Sequence, residues 1–357
     1  MGPGGDARAR SHRRYDDIQS RAVGLHYTQG DPRPMNSFSR ILGGALVAAA
    51  VAGAAAAADP IFVLEDPKGD DRGFGTLEMP LNEEVRRGEL DLVKLEAKPA
   101  NGGTLFEATF AKNVREPERR TIDAVGQTLD QMAKYGFYTF NLDIYIDKDG
   151  IAGSGSQVAL PGRNVTIAPE SAWEMAICLT PDPGVGKNVL RRILVRRASE
   201  ELEKTTDETT DKRDLKRQAI ERIESFVFFP DDIKVMGRRV RFFVPASFTN
   251  GPVSADWTYT VMVTGADFLP RTDQSARYLD SMVDRDNLYV LPIGAGRPQE
   301  YFGGGMENNL YQNAVVDIIV PAGSDQKSIL SNFSRLDKRL AEVPGVKPAA
   351  GAAGMKN

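Results

Sequence analysis

From residue 60 onward, apolar and polar residues alternate in short runs, with Gly, Pro, Asp and Asn in the gaps. Alternation sends successive side chains to opposite faces of an extended chain, so each run predicts a strand with one face in a core. The clearest runs are residues 90–97, 104–110, 138–146, 173–179, 239–244, 258–263 and 315–320. Many short strands separated by turn residues predict an all-β fold, an antiparallel β-sandwich of jelly-roll type. Residues 187–226 break the rhythm. They are densely charged and poor in Gly and Pro, with Leu190, Ile193, Leu194 and Leu202 on one helical face. A second apolar set follows at Leu215, Ile220, Ile223 and Phe226. This spacing predicts a charged helical segment inserted between strands. It would either pack on its own domain or serve as a docking arm for a protein partner. A shorter amphipathic stretch at 126–136 predicts a single helix or a loop turn, and the Pro-, Ala- and Gly-rich residues 343–357 predict a disordered tail.

The N-terminal part follows other rules. Residues 35–40 carry one Arg ahead of an apolar run from Ile41 to Ala58, which closes on small residues. That order reads as an export signal, with cleavage before a domain covering residues 59–342. A membrane anchor is the alternative if the segment stays uncleaved, but 18 residues rich in Ala and Gly sit at the lower limit for a span. Residues 1–34 fit no usual signal, and Met35 is the expected start, with 1–34 a mis-assigned or disordered extension. The protein is therefore expected outside the cytoplasm, periplasmic or extracellular.

Composition narrows the chemistry. At 41% hydrophobic and 26% charged, the 357-residue chain is ordinary for a soluble globular protein of one or two domains. The first 58 residues carry seven Arg and four Asp. Removing their net +3 from the chain's −4 leaves the remainder at −7, which argues against nucleic acid as a partner. Cys178 is the only cysteine, so no internal disulfide forms. The only histidines, His12 and His26, precede the apolar run. The exported domain has none, which excludes a Ser-His-Asp site and histidine-ligated zinc. Paired-carboxylate hydrolysis is the enzyme class left open.

Residues 66–75 (Asp66-Pro67-Lys68-Gly69-Asp70-Asp71-Arg72-Gly73-Phe74-Gly75) concentrate three carboxylates and three glycines. Glycines let a loop fold back on itself, and closely spaced Asp side chains can then converge on Ca²⁺. Asp147-Lys148-Asp149-Gly150 repeats the theme after a predicted strand. It is half of a calcium loop, because Ile151 and Val158 stand where an EF-hand would place further ligands. The candidate metal ligands are thus Asp66, Asp70, Asp71, Asp147 and Asp149, and calcium is the expected ion. An acidic turn without an ion explains each stretch equally. The glycine clusters at 153–156 and 303–305 lack a P-loop lysine and are not read as phosphate cradles. Trp173, Trp257, Tyr138 and Tyr301 are the candidate sugar-stacking aromatics, and core packing is their alternative role.

These segments together resemble the glucodextranase C-terminal domain family. The resemblance rests on Asp66-Pro67, Gly69-Asp70-Asp71 and Gly73-Phe74-Gly75, then Gly88-Glu89-Leu90-Asp91-Leu92. It continues through residues 142–147, Gly153-Ser154-Gly155, Leu160-Pro161-Gly162-Arg163-Asn164-Val165 and Ala172-Trp173-Glu174. Phe302-Gly303-Gly304-Gly305, Val316-Asp317 and residues 326–330 close it. The matches keep their order along most of the exported domain. The resemblance implies a β-sandwich of the DOMON or carbohydrate-binding-module type, usually appended to secreted α-glucan hydrolases. It further implies a non-catalytic exported module that binds carbohydrate, α-glucan or envelope polysaccharide. The second expected function is an envelope structural factor whose 187–226 segment docks a protein partner. That segment and residues 77–80, which lack the family's tyrosines, depart from the pattern.

Overall fold

The computed structural model describes residues 59–204, 225–270, 286–306 and 310–349, with a few positions between 213 and 221. The expected extension and signal segment, residues 1–58, lie outside the described residues.

In chain order the strands begin with β1 (Phe62–Glu65), β2 (Leu92–Ala100), β3 (Gly103–Phe110) and β4 (Phe140–Asp147). Next come β5 (Val165–Ile167), β6 (Met175–Leu179), β7 (Val227–Phe228), β8 (Ile233–Met236) and β9 (Arg239–Pro245). The last are β10 (Thr258–Gly265), β11 (Ile293–Ala295), β12 (Phe302–Gly305), β13 (Val315–Ile318) and β14 (Ala341–Val343). The helices are α1 (Leu129–Met132), α2 (Pro183–Lys204), α3 (Ala246–Thr249) and α4 (Gln326–Leu330).

Two five-stranded sheets form the sandwich, in the orders β1-β2-β3-β9-β8 and β13-β10-β4-β6-β7. All their pairings are antiparallel except β6 with β7. The sheets meet through aromatic rings. Phe62 on β1 lies 4.4 Å from Tyr259 on β10, and Phe110 on β3 lies 4.7 Å from Phe140 on β4. Local chemistry sets the hairpins. Ala100 pairs with Gly103, so β2 and β3 join through Asn101-Gly102, with Gly102 at φ +80. Asn-Gly suits the two-residue turn whose twist matches that of the strands. Gly237-Arg238 does the same between β8 and β9.

The parallel pairing of β6 and β7 requires a long crossover, and the inserted segment supplies it. Its helix begins at Pro183, four residues earlier than the charge pattern indicates. Asp182 explains the shift: its Oδ1 accepts from the Val185 amide at 3.0 Å, and proline is pre-organised for the first helical position. Leu190 and Ile193 are buried, and Leu194 packs against the core, so this face of α2 is spent on its own domain. Leu215 and Ile223 lie outside the described residues. Of the two forms expected for 126–136, the structure shows the helix, α1.

The first residues of the expected tail take part in the fold. Val343, in β14, pairs in parallel with Ile167 in β5, and Val346 bridges Tyr259 on the neighbouring strand β10. Three-residue pairings are too short to register as alternation in a segment rich in Pro and Gly. Residues 350–357 lie outside the described residues. No described helix is long and apolar enough to cross a membrane.

Candidate functional site

Asp66 directly follows β1, where the chain leaves the first sheet and runs toward β13 of the second. The 66–75 loop is stitched to that sheet by backbone. The Gly73 amide donates to the Val316 carbonyl at 2.9 Å, and the side-chain amide Nε2 of Gln326 on α4 donates to the Asp70 carbonyl at 2.5 Å. Gly73 sits at φ +52, and a Cβ there would lie 2.8 Å from the Val315 carbonyl oxygen. Only glycine suits that approach.

The fold sorts the three loop carboxylates into two roles. Asp71 is fully buried and accepts from the Gly88 amide at 2.6 Å. The Arg87 guanidinium lies 3.7 Å from its other oxygen and bonds its carbonyl. Asp71 thus pins the loop to residues 87–88. Asp66 and Asp70 instead meet Asp317, in β13, with one oxygen from each within 4.8 Å of the others. The sequence placed Asp71 in the cluster; the structure puts Asp317 there. Asp91, which precedes β2 and accepts from the Gly69 amide at 2.7 Å, acts electrostatically on Asp66, Asp71 and Asp317.

This crowding shows in the proton affinities. Burial, then the charge of Asp70, pushes Asp66 up to about 8. Burial also raises Asp70, Asp71 and Asp91, and holds Asp317 well above the usual carboxylate range. In metal-free protein, folded Asp66 keeps a proton that the unfolded chain releases near pH 4. Stability from this group is complete below that pH and is lost as pH rises toward 8. The midpoint of urea unfolding in EDTA is expected to be lower at pH 8 than at pH 5. A midpoint that holds or rises would contradict this electrostatic account.

A second acidic group forms at the end of β4. Asp147, Asp149 and Glu174 each place an oxygen within 4.8 Å of the others. Gly150, at φ +64, turns the chain so that its amide caps Asp147 Oδ1 at 2.8 Å. Asp149 accepts from the Ile151 amide and from Ser154, and Glu174 accepts from the Lys148 amide at 2.8 Å. Asp147 is buried, yet its Oδ2 has no hydrogen-bond donor. Glu174 is raised by burial and by the charges of Asp149 and Asp147.

The four candidate aromatics do not share a platform. Trp173 is in the core, its ring 5.4 Å from that of Tyr145 and its Nε1 donating to the Val158 carbonyl at 3.1 Å. Tyr301 is buried in the same core. Trp257 is partly buried, with Lys148 Nζ 4.8 Å above its ring. Tyr138 is buried in a small separate cluster, but it lines a cleft of about 240 Å³. Its hydroxyl donates to Glu84 at 3.1 Å, and Glu84 also pairs with Arg120. Asn82, Asp267 and Glu300 add polar groups to the same wall.

One sequence model spans this architecture. The family described as the C-terminal binding-module, SLH-like, of glucodextranase matches residues 61–345. The chain belongs to that family. No curated protein matched it significantly. A family of this description is a binding module and not a catalytic domain.

The glucodextranase C-terminal motifs acquire physical roles in this structure. Residues 160–165 surround a fully buried Arg163, whose Nε and Nη2 meet the two oxygens of Asp143 at 2.6 and 2.9 Å. Its Nη1 donates to the carbonyls of Pro161 and Leu288. That motif holds the module together. Asp91, Glu174 and Asp317 all lay inside matched motifs but were missed as ligand candidates. The available signal was a carboxylate in an otherwise apolar strand run, most plainly Asp317 within Val315-Val316-Asp317-Ile318.

Proposed function

We propose that this module is a non-catalytic, exported carbohydrate-binding domain for α-glucan or envelope polysaccharide. The observation that carries the reading is the Tyr138 cleft, considered with the family's description as a binding module. Sugar sites pair an apolar wall with a few fixed polar groups that match hydroxyls. Val85, Ile122 and Leu291 supply the wall here. Glu84, held between the Tyr138 hydroxyl and Arg120, supplies an oriented acceptor beside a guanidinium donor. Burial and the Glu84 charge push Tyr138 up to about 12, which keeps its hydroxyl a donor.

A calcium ion at Asp147, Asp149 and Glu174 belongs to the same reading. Three carboxylates and a buried oxygen without a donor suit a hard cation with oxygen ligands. Its role would be to set the hairpin loop after β4, beside Lys148 and Trp257.

A glycan array probed with the full chain, with and without calcium, tests the function. Binding to α-glucans is expected, with a loss of about tenfold or more on Arg120→Ala and little change on Trp257→Ala. Loss on Trp257→Ala with retention on Arg120→Ala would move the site to the loop after β4. Failure to bind any glycan, or release of sugar from an α-glucan, would overturn the proposal.

A further inference from the structure

We propose that a second calcium ion, bound by Asp66, Asp70 and Asp317 with Asp91 beside them, clamps the two sheets of the sandwich together. Asp66 and Asp91 flank strands of the first sheet, at the end of β1 and just before β2. Asp317 belongs to β13, the edge strand of the second sheet. The cluster therefore joins the paired strands β1 and β2 to β13, which shares no backbone ladder with either.

The all-oxygen donor set selects a hard cation, and the spacing accommodates calcium. Oxygens bound to calcium at 2.3–2.6 Å lie up to about 5 Å apart across the ion. The 4.8 Å limit on the Asp66, Asp70 and Asp317 oxygens falls within that span. Magnesium, at 2.0–2.1 Å, demands a tighter and more regular shell. With only oxygen donors, the group offers nothing that favours zinc or copper.

The unmet bonding of these side chains is the independent observation. Asp66 Oδ2, Asp70 Oδ1 and Asp91 Oδ1 are buried and have no donor. Asp91 as a whole is only 1% exposed, and its charge acts on Asp66 and Asp317. Asp317 is fully buried, and both its oxygens meet only backbone amides, those of Leu92 at 2.6 Å and Ile318 at 3.1 Å. The nearby cations do not neutralise the group. Arg87 and Arg72 act on Asp71, and Lys68 acts on Asp91 from the loop, while Asp325 adds further negative charge near Asp70. Among the described residues, no Lys or Arg forms an ion pair with Asp66, Asp70, Asp91 or Asp317. Buried charges are ordinarily paired or bound to metal.

This clamp is independent of what the module binds and of the loop ion at Asp147. Calcium titration of the chelator-treated full chain, followed by calorimetry, separates the clamp from the loop ion. Asp70→Asn is expected to abolish one binding event or weaken it by about 10–100-fold or more, leaving the event that Asp149→Asn removes. Hydrogen exchange on the unaltered chain gives a second readout that needs no variant. Calcium should slow exchange of the Gly69, Leu92 and Val320 amides, which donate to Asp91, Asp317 and Asp66. Equal calcium binding by Asp70→Asn and the parent chain would overturn the clamp. So would unchanged exchange of those amides at saturating calcium.

Discussion

Replacing Arg163 with methionine is expected to destabilise the domain by about 3–5 kcal/mol, the largest single-residue loss outside the aromatic core. The reason is what remains behind. Asp143 is fully buried and receives two guanidinium hydrogen bonds, at 2.6 and 2.9 Å. Its other neighbours are the Cys178 thiol and the Tyr145 hydroxyl at 3.4 Å, which itself accepts from the Leu160 amide. Without Arg163 a carboxylate stands uncompensated in the core, and the carbonyls of Pro161 and Leu288 lose their donor. Asp143→Asn should cost less than Arg163→Met, because a neutral amide avoids the stranded charge. The double variant Asp143→Leu with Arg163→Met should recover part of the loss. Denaturant midpoints measured for all three decide the matter. A loss below about 1 kcal/mol for Arg163→Met would mean that water already reaches the pair.

Gly304→Ala is expected to cost about 2–4 kcal/mol, combining a left-handed backbone with overpacking. Gly304, in β12, has φ +78, and an added Cβ would overlap the carbonyl oxygen of Thr76. The two residues are bonded, with the Thr76 hydroxyl donating to the Gly304 carbonyl at 2.8 Å. Glu78 pairs with Gly303 one position earlier, so the added Cβ would meet backbone atoms that are held in place. Gly296 provides the control. It has a similar φ of +74 but open space around the missing Cβ. Gly296→Ala should cost only about 1 kcal/mol. Thermal melts of the two variants would show equal shifts if the close approach to Thr76 were unimportant.

Much of the fold could be read from alternation, and the exceptions are instructive. The seven anticipated strands all form, each inside a run of six or more strand-favouring residues in the sequence. β1, β5, β7, β8, β11, β12 and β14 were not anticipated; they span two to four residues and lie in no long alternating run. β4 also resists the simple reading, since every residue from Phe140 to Asp147 is buried. Both of its faces are covered, so Asn141 and Asp143 occupy positions that alternation would assign to solvent. The site was partly readable for a related reason. Asp66 and Asp70 announced themselves through loop composition, a local property. Asp317 joins them from 247 positions beyond Asp70. Only the sheet order places β13 beside that loop, and sheet order is a long-range property. The aromatics were the least readable, because composition does not tell an indole in the core from one at a surface.

The contacts of Tyr259 bear on how such a module could be joined to other domains. Its ring lies 4.4 Å from Phe62 on the first strand, while its backbone pairs with Val346 close to the last described residue. The polypeptide therefore enters and departs at one pole of the sandwich. A circular permutant joining residue 346 to residue 61 by a short flexible linker, opened at the Asn101-Gly102 turn, should retain the native topology. Inserted into another protein's surface loop, the module would hang from that loop like a pendant, with little demand on the host to separate its two attachment points.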